Sequence, residues 1–210
     1  LPIFTKIINM KSRIKSRIKS RIKSRIKSSV ENHTRVLNDS NLQINIERIV
    51  TNSIKAFKND KKMLFCGNGG SASDAQHIAS ELSGRFYKDR PPLYAEALHV
   101  NSSYMTAVAN DYGYDETYAR MVEASGRKGD VLVGISTSGN SPNVVKAMHN
   151  AKEIGMVTVG FTGCKGGKMK EICDIMIQVP SDDTPRIQEA HILVGHIICQ
   201  LIEEEMFPNA

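Results

Sequence analysis

The stretch "GDVLVGISTSGNSPNVVKAMHNAKEIG", residues 129–155, decides the fold. Its first part, "DVLVGIS", is a continuous apolar run, as expected of a strand in a parallel sheet covered on both faces. A polar turn follows. A helix then opens with Pro142 in its first turn and closes at Gly155, an arrangement both residues favour. The same strand–turn–helix order recurs on either side. Before it come "NLQINIERIVTNSIKAFKND", with apolar residues at helical spacing, and "KMLFC", a short strand. The turn "GNGGSAS" leads into the helix "SDAQHIASELSGRF", with Ser71 or Ser73 as N-cap. "YAEALHV" is a second strand, followed by the helices "SSYMTAVAND" and "DETYARMVEASG". After the opening stretch come the strand "MVTVGFTG", the short helix "GGKMKEIC", the strand "DIMIQVP" and a long last helix, "TPRIQEAHILVGHIICQLIEEEMF". Strands alternating with helices predict an α/β fold, a three-layer sandwich of five parallel strands with helices on both faces. The run "HILVGHIICQLI" is apolar nearly all round, so the last helix is expected to be buried, in part against a second subunit.

In such sheets ligands bind beyond the carboxyl ends of the strands. Two turns there carry suitable chemistry. Ser136, Thr137, Ser138 and Ser141 offer hydroxyls, and Gly139 lets backbone N–H groups come close to a ligand. The helix start adds partial positive charge. This is a phosphate cradle without a lysine, suited to a phosphosugar rather than a nucleoside triphosphate, and the G-x-x-x-x-G-K-[ST] pattern is absent. The same residues also serve an ordinary polar turn. At the other turn, Asn68, Gly69, Gly70 and Ser71 can bind sugar hydroxyls or phosphate, or simply form a tight turn. They do not make the dinucleotide fingerprint. His77 and Glu81 stand one helical turn apart, a spacing that serves a metal, an acid–base pair or a surface contact. Gln188, His191 and His196 interrupt the last apolar helix, and buried polar groups need partners. Gln188 and His196 point about 80° apart and are separated by ~12 Å along the axis, so a shared site requires long side chains, a bend or a second subunit.

The net charge of +6 belongs to one end of the chain. Ten Lys and Arg and no acidic residue precede Glu31, and the remainder carries 18 basic and 22 acidic residues. The domain itself therefore has no nucleic-acid footprint. Residues 12–27 are four copies of Ser-Arg-Ile-Lys. As a helix this repeat would stack Arg on Arg and Lys on Lys, which is unfavourable, and residues 1–40 are expected to form a disordered basic tail. The alternative is a basic amphipathic arm that folds on an acidic surface or membrane. Cys66, Cys164, Cys173 and Cys199 form no C-x-x-C pair and sit in or near apolar segments, as in a reduced cytoplasmic protein. No run of about 18 apolar residues occurs, so no spanning helix is expected.

Five segments together, "FCGNGGSASDAQHIASELSGRF", "ANDYG", "GDVLVGISTSGNSPNVVKA", "TGCKGGKMK" and the last helix, resemble the phosphoheptose isomerases. These sugar isomerase (SIS) domain enzymes interconvert sedoheptulose 7-phosphate and D-glycero-D-manno-heptose 7-phosphate, a step toward ADP-heptose and bacterial surface glycans. The resemblance covers about residues 41–207, so residues 41–210 are expected to be the SIS domain. It implies a flavodoxin-like sheet, a homotetramer with active sites near subunit interfaces, and one zinc per subunit. The implied metal ligands are His77, Glu81, Gln188 and His196, with Glu81 the base and His196 its acid partner. The implied substrate contacts are Asn68, Gly69, Gly70, Ser71, Arg85, Asn110, Asp111, Ser136, Thr137, Ser138, Ser141 and Gln188. Some members carry an acidic residue where this chain has Pro185, and Asp182 and Asp183 are candidates to replace it. The phosphorylated seven-carbon sugar is the expected partner, no nucleic acid is expected for the domain, and no membrane is expected. The rival reading is a non-catalytic SIS protein that binds a replication initiator, or a phosphosugar as a regulator. The family's non-isomerising relative lacks the counterparts of Glu81 and His196, and both are present here.

Overall fold

The computed structural model describes the backbone of residues 2–210 and the side chains of residues 14–210. Five strands form one all-parallel sheet: β1 Met63–Gly67, β2 Ala95–Ala97, β3 Val131–Ile135, β4 Val157–Gly163 and β5 Ile175–Val179. Their spatial order is β2-β1-β3-β4-β5, the flavodoxin-like order. The opening stretch forms β3, whose five residues are all buried, and α6, Pro142–Ile154. Gly155 ends α6 in the left-handed conformation and donates to the Ala151 and Lys152 carbonyls.

The other helices are α1 Pro2–Leu37, α2 Ser40–Lys58, α3 Gly70–Ser83, α4 Ser102–Tyr112, α5 Thr117–Ser125 and α7 Thr184–Met206. Alternating strand side chains build the two layers. Met63, Phe65, Val131, Val133 and Phe161 pack under α2, α3 and α7. Leu64, Cys66 and Leu132 pack under α5 and α6 on the opposite face. The three-layer sandwich is thus the outcome of a period-2 pattern covered twice.

Two local expectations differ from the structure. "GGKMKEIC" forms a tighter 3-10 turn, Gly167–Glu171, because consecutive left-handed glycines at 166 and 167 begin it. Gly69, at φ 56°, takes the N-cap position of α3 in place of a serine. Cys164 is exposed, whereas Cys66 and Cys199 are buried.

The expected disordered tail is a helix in the structure. Lys, Arg and Ile tolerate helix well, and residues 3–37 contain neither Gly nor Pro, so modest like-charge repulsion does not prevent it. The last turns of α1 also dock on α7. Asn32 is fully buried and donates to the Arg186 carbonyl at 3.0 Å. Ser29 donates to Glu189 at 2.7 Å, and Val36 joins the core. The folded body therefore begins before residue 41, and residues 14–27 of α1 form an exposed arm.

Candidate functional site

The strand order reverses direction between β1 and β3, and a ligand crevice opens at that switch point. The two candidate turns, after β1 and after β3, flank it. After β3, the Ser136 and Ser141 hydroxyls are 2.9 Å apart, and Ser136 Oγ also accepts from the Ser141 N–H at 3.4 Å. Ser138 Oγ accepts from the Asn140 N–H at 3.2 Å. Gly139 sits at φ +68°, and a Cβ there would stand 2.0 Å from the Gly166 carbonyl oxygen. Only glycine lets the two loops close on each other at that point. Beside them a cavity of about 340 Å³ is lined by Thr137, Ser138, Asn140, Lys165, Asp182 and Thr184, among others. Pro185 lies in the first turn of α7, and Asp182, not Pro185, lines the cavity.

At the β1 turn, Asn68 exchanges amide hydrogen bonds with Asn143 at 2.9 Å in both directions. Tyr114 donates to Asn68 Oδ1 at 3.0 Å, and the Tyr118 hydroxyl donates to the Gly67 carbonyl. Asn143, on α6, couples the two turns, and the sequence reading did not single it out. Its one signal was its place just inside the helix behind the serine loop. Ser71 is buried, and its N–H donates to the Asn68 carbonyl at 3.0 Å.

On α3 behind this turn, His77 Nε2 and Glu81 Oε1 are 3.1 Å apart. From α7, His196 Nε2 comes within 3.0 Å of His77 Nε2. One donor atom from each of the three residues lies within 4.8 Å of the other two. The long approach is possible because α3 and α7 touch at Gly195, where a Cβ would be 2.5 Å from Ile78 Cδ1. The Phe86 ring covers His196 at 5.9 Å between centroids. Gln188 points at the start of the same helix: a Cβ on Gly70 would meet its amide nitrogen at 2.6 Å. His191 is not part of the cluster. It is fully buried, its Nε2 lies 3.2 Å from the Thr162 carbonyl, and burial lowers its pKa to about 4. Asp74, one turn ahead of His77, is raised by burial against the opposing pull of His77.

The end of α3 is held by a buried ion pair. Glu203 on α7 accepts from the backbone N–H groups of Phe86, Tyr87 and Lys88 at 2.8–3.0 Å and from Arg90 Nε at 2.9 Å. Arg90 in turn donates to the carbonyls of Glu81, Leu82 and Gly84, the open end of α3. Burial would raise the Glu203 carboxyl, but the Tyr87, Phe86 and Lys88 N–H groups and Arg90 outweigh it and hold it below the usual range. Glu203 and His196 are two turns apart on α7, so this clamp fixes the separation of α3 and α7. Neither partner stood out in the sequence, because Arg90 reads as an ordinary loop charge.

Not every candidate is brought together. Arg85 is exposed just past α3. Asn110 donates to Asp111 at 2.8 Å, and both are exposed on α4. Among the described residues neither bonds to the other candidates.

The SIS domain profile matches residues 18–163. The chain is 52% identical over 174 residues to a phosphoheptose isomerase of Aneurinibacillus thermoaerophilus, covering 83% of this chain and 88% of that one. It is 54% identical to phosphoheptose isomerase 2 of Campylobacter jejuni, covering 82% and 86%. The solved phosphoheptose isomerase of Neisseria gonorrhoeae superposes with a TM-score of 0.84 at 39% identity, covering 89% of this chain and 99% of that one.

Proposed function

This chain belongs to the phosphoheptose isomerases of the SIS domain family, and from that premise we propose how its own residues carry out the reaction. It is an aldose–ketose isomerase that converts sedoheptulose 7-phosphate to D-glycero-D-manno-heptose 7-phosphate. The single observation that carries the mechanism is the meeting of His77, Glu81 and His196 donor atoms within 4.8 Å.

The reaction moves one proton from C1 to C2 through an enediol, and one proton between the two oxygens. Glu81 takes the C1 proton and returns it to C2. His196 removes the O1 proton and supplies the one that O2 needs. The hydroxyls of Ser136, Thr137, Ser138 and Ser141, with the N–H groups at the start of α6, bind the phosphate. Asn68, Gly69, Gly70, Ser71 and Gln188 face the sugar, and Asn143 and Tyr114 hold the Asn68 amide in one orientation.

A zinc ion fits the donor set. Bonds of about 2.0–2.1 Å in a tetrahedral site put ligand atoms ~3.3 Å apart, and here His77 Nε2 lies 3.0 Å from His196 Nε2 and 3.1 Å from Glu81 Oε1. His77, Glu81 and His196 would hold it, with Gln188 as the fourth ligand. Bound there, zinc supplies a Lewis acid for the substrate oxygens. The carboxylate of Glu81 has two oxygens, so one remains for proton transfer.

A homotetramer is supported by an apolar cavity of about 700 Å³ among α1, α2 and α7, lined by Val36, Leu42, Ile46, Val50, Leu193 and Ile197 among others. It also gives Arg85, Asn110 and Asp111 a way into a site they do not complete within one chain. The chain divides into an SIS domain at residues 41–210 and a preceding arm whose last turns dock on it. The isomerase works in the cytoplasm, where its four free cysteines stay reduced, and the heptose enters surface glycan synthesis.

The test incubates purified protein with sedoheptulose 7-phosphate and follows the aldose, with and without a chelator. Zinc should restore what the chelator removes. Glu81→Gln should lower turnover by about 10²–10⁴-fold with the fold retained, and near-normal turnover would remove Glu81 from the role of base.

A further inference from the structure

Residues 14–27 of α1 lie outside the candidate site, and every side chain from Ile14 to Lys27 is exposed. The four isoleucines at positions 14, 18, 22 and 26 are 49%, 52%, 55% and 61% accessible, unusual for a regularly spaced apolar row. Seven cations, Lys15, Arg17, Lys19, Arg21, Lys23, Arg25 and Lys27, lie in the same segment with no acidic residue. Of these seven, only Lys27 has an ion-pair partner among the described residues, Glu31 at 3.7 Å.

The four-residue repeat sets the geometry. A helix turns about 100° per residue, so each residue type advances by about 40° per repeat and the isoleucines sweep an arc of about 120°. Around the helix the arcs run in the order arginine, isoleucine, lysine, serine. The apolar ridge is bordered by arginines on one edge and lysines on the other, and the serines face away from it. Long cationic side chains can lay their stems along an apolar surface and keep their charges at its polar boundary. The segment is about 21 Å long, and its far end is anchored to the body through Ser29, Asn32 and Arg186.

We propose that this arm lies in the surface of an anionic phospholipid bilayer, with Ile14, Ile18, Ile22 and Ile26 among the acyl chains and the flanking Arg and Lys on the headgroup phosphates. Anionic headgroups answer the charge, and the acyl boundary covers the ridge. A nucleic acid would satisfy the cations and leave the isoleucines in water. The arm of a second copy would carry the same uncompensated positive charge. No described helix is long and apolar enough to cross a membrane, so the contact is peripheral. It would hold the isomerase at the surface without involving its active site.

Sedimentation of the full chain with vesicles tests this, comparing phosphatidylcholine alone with phosphatidylcholine containing phosphatidylglycerol. The expected result is at least tenfold stronger partition to the anionic vesicles, lost at high salt. The fourfold variant Ile14→Ser, Ile18→Ser, Ile22→Ser, Ile26→Ser should partition at least tenfold more weakly while its isomerase turnover is unchanged. Equal binding by that variant would overturn the proposal, since the cations alone would then account for the attraction. Failure to bind vesicles together with a shift of duplex DNA or RNA would overturn it in favour of a nucleic acid. Failure to bind vesicles together with a change in oligomer mass in the Ile variant would overturn it in favour of a contact between copies.

Discussion

Replacing Glu203 by Gln should damage the protein more than the size of the change suggests. The two carboxylate oxygens accept four hydrogen bonds, from Phe86 N and Arg90 Nε on one and from Tyr87 N and Lys88 N on the other. Gln keeps one acceptor oxygen, so at least two of these bonds go, and each bond to a charged group contributes about 1.5–3 kcal/mol. The Arg90 side chain is completely buried and loses its counter-charge. Removing one member of a buried pair costs about 3–5 kcal/mol, which agrees with the hydrogen-bond sum. For a chain of this size about 4 kcal/mol lowers Tm by roughly 8–16 °C. The pH dependence gives a second reading. The folded-state carboxyl is held below its unfolded pKa, so its contribution is complete above the unfolded value and is lost as pH falls through the folded one. The stability gap between parent and variant should therefore be full at neutral pH and narrow from about pH 5 downward. Thermal and urea unfolding across that range are the assays. A Tm loss of under ~3 °C at neutral pH, or a gap that does not narrow in acid, refutes the clamp. Because Arg90 also holds the Glu81 carbonyl, turnover of the folded variant should fall more than its KM rises.

Gly139→Ala places a Cβ 2.0 Å from the Gly166 oxygen at a positive φ, so it should cost about 1–3 kcal/mol and raise KM for the phosphosugar, read by unfolding and steady-state kinetics. His191 is held neutral, with its pKa lowered to about 4 by burial, so the unfolded chain binds one more proton between about pH 6.5 and 4; stability should fall as pH drops through that window, and an NMR titration of His191 should show no protonation above about pH 5. Deleting residues 1–27 removes a segment whose described side chains, Ile14 to Lys27, are all exposed, so isomerase turnover should be unchanged and unfolding nearly so; a folded but inactive product would place the arm in the active assembly.

Much of the geometry of the candidate site was legible because its residues lie in short, contiguous patterns. The serine turn at 136–141 and the glycine turn at 67–71 each follow an apolar strand and open a helix, and that order alone directs them toward a ligand. The pairing of His77 with Glu81 is a one-turn spacing. Asn143, Tyr114 and Arg90 were not legible. Each acts on a partner that is distant in sequence, and nothing about an isolated Asn, Tyr or Arg marks that partner. The helix over the basic segment was not legible for a different reason: good helix propensity outweighs weak like-charge repulsion, and no local pattern announces the docking of Ser29 and Asn32 on α7.

By itself the sequence determined the layered α/β architecture, because continuous apolar strands alternating with capped amphipathic helices can bury their surfaces in few other ways. It also determined the chemical types at the site and, through resemblance, the reaction. Tertiary structure alone decided that His196 meets His77 and Glu81. That meeting depends on α7 crossing α3 at the bare backbone of Gly195, with Glu203 and Arg90 holding the two helices in place. Helical periodicity fixes which side of its own helix a residue occupies, but the distance between two helices is set by packing, and the cluster of His77, Glu81 and His196 exists only at that distance.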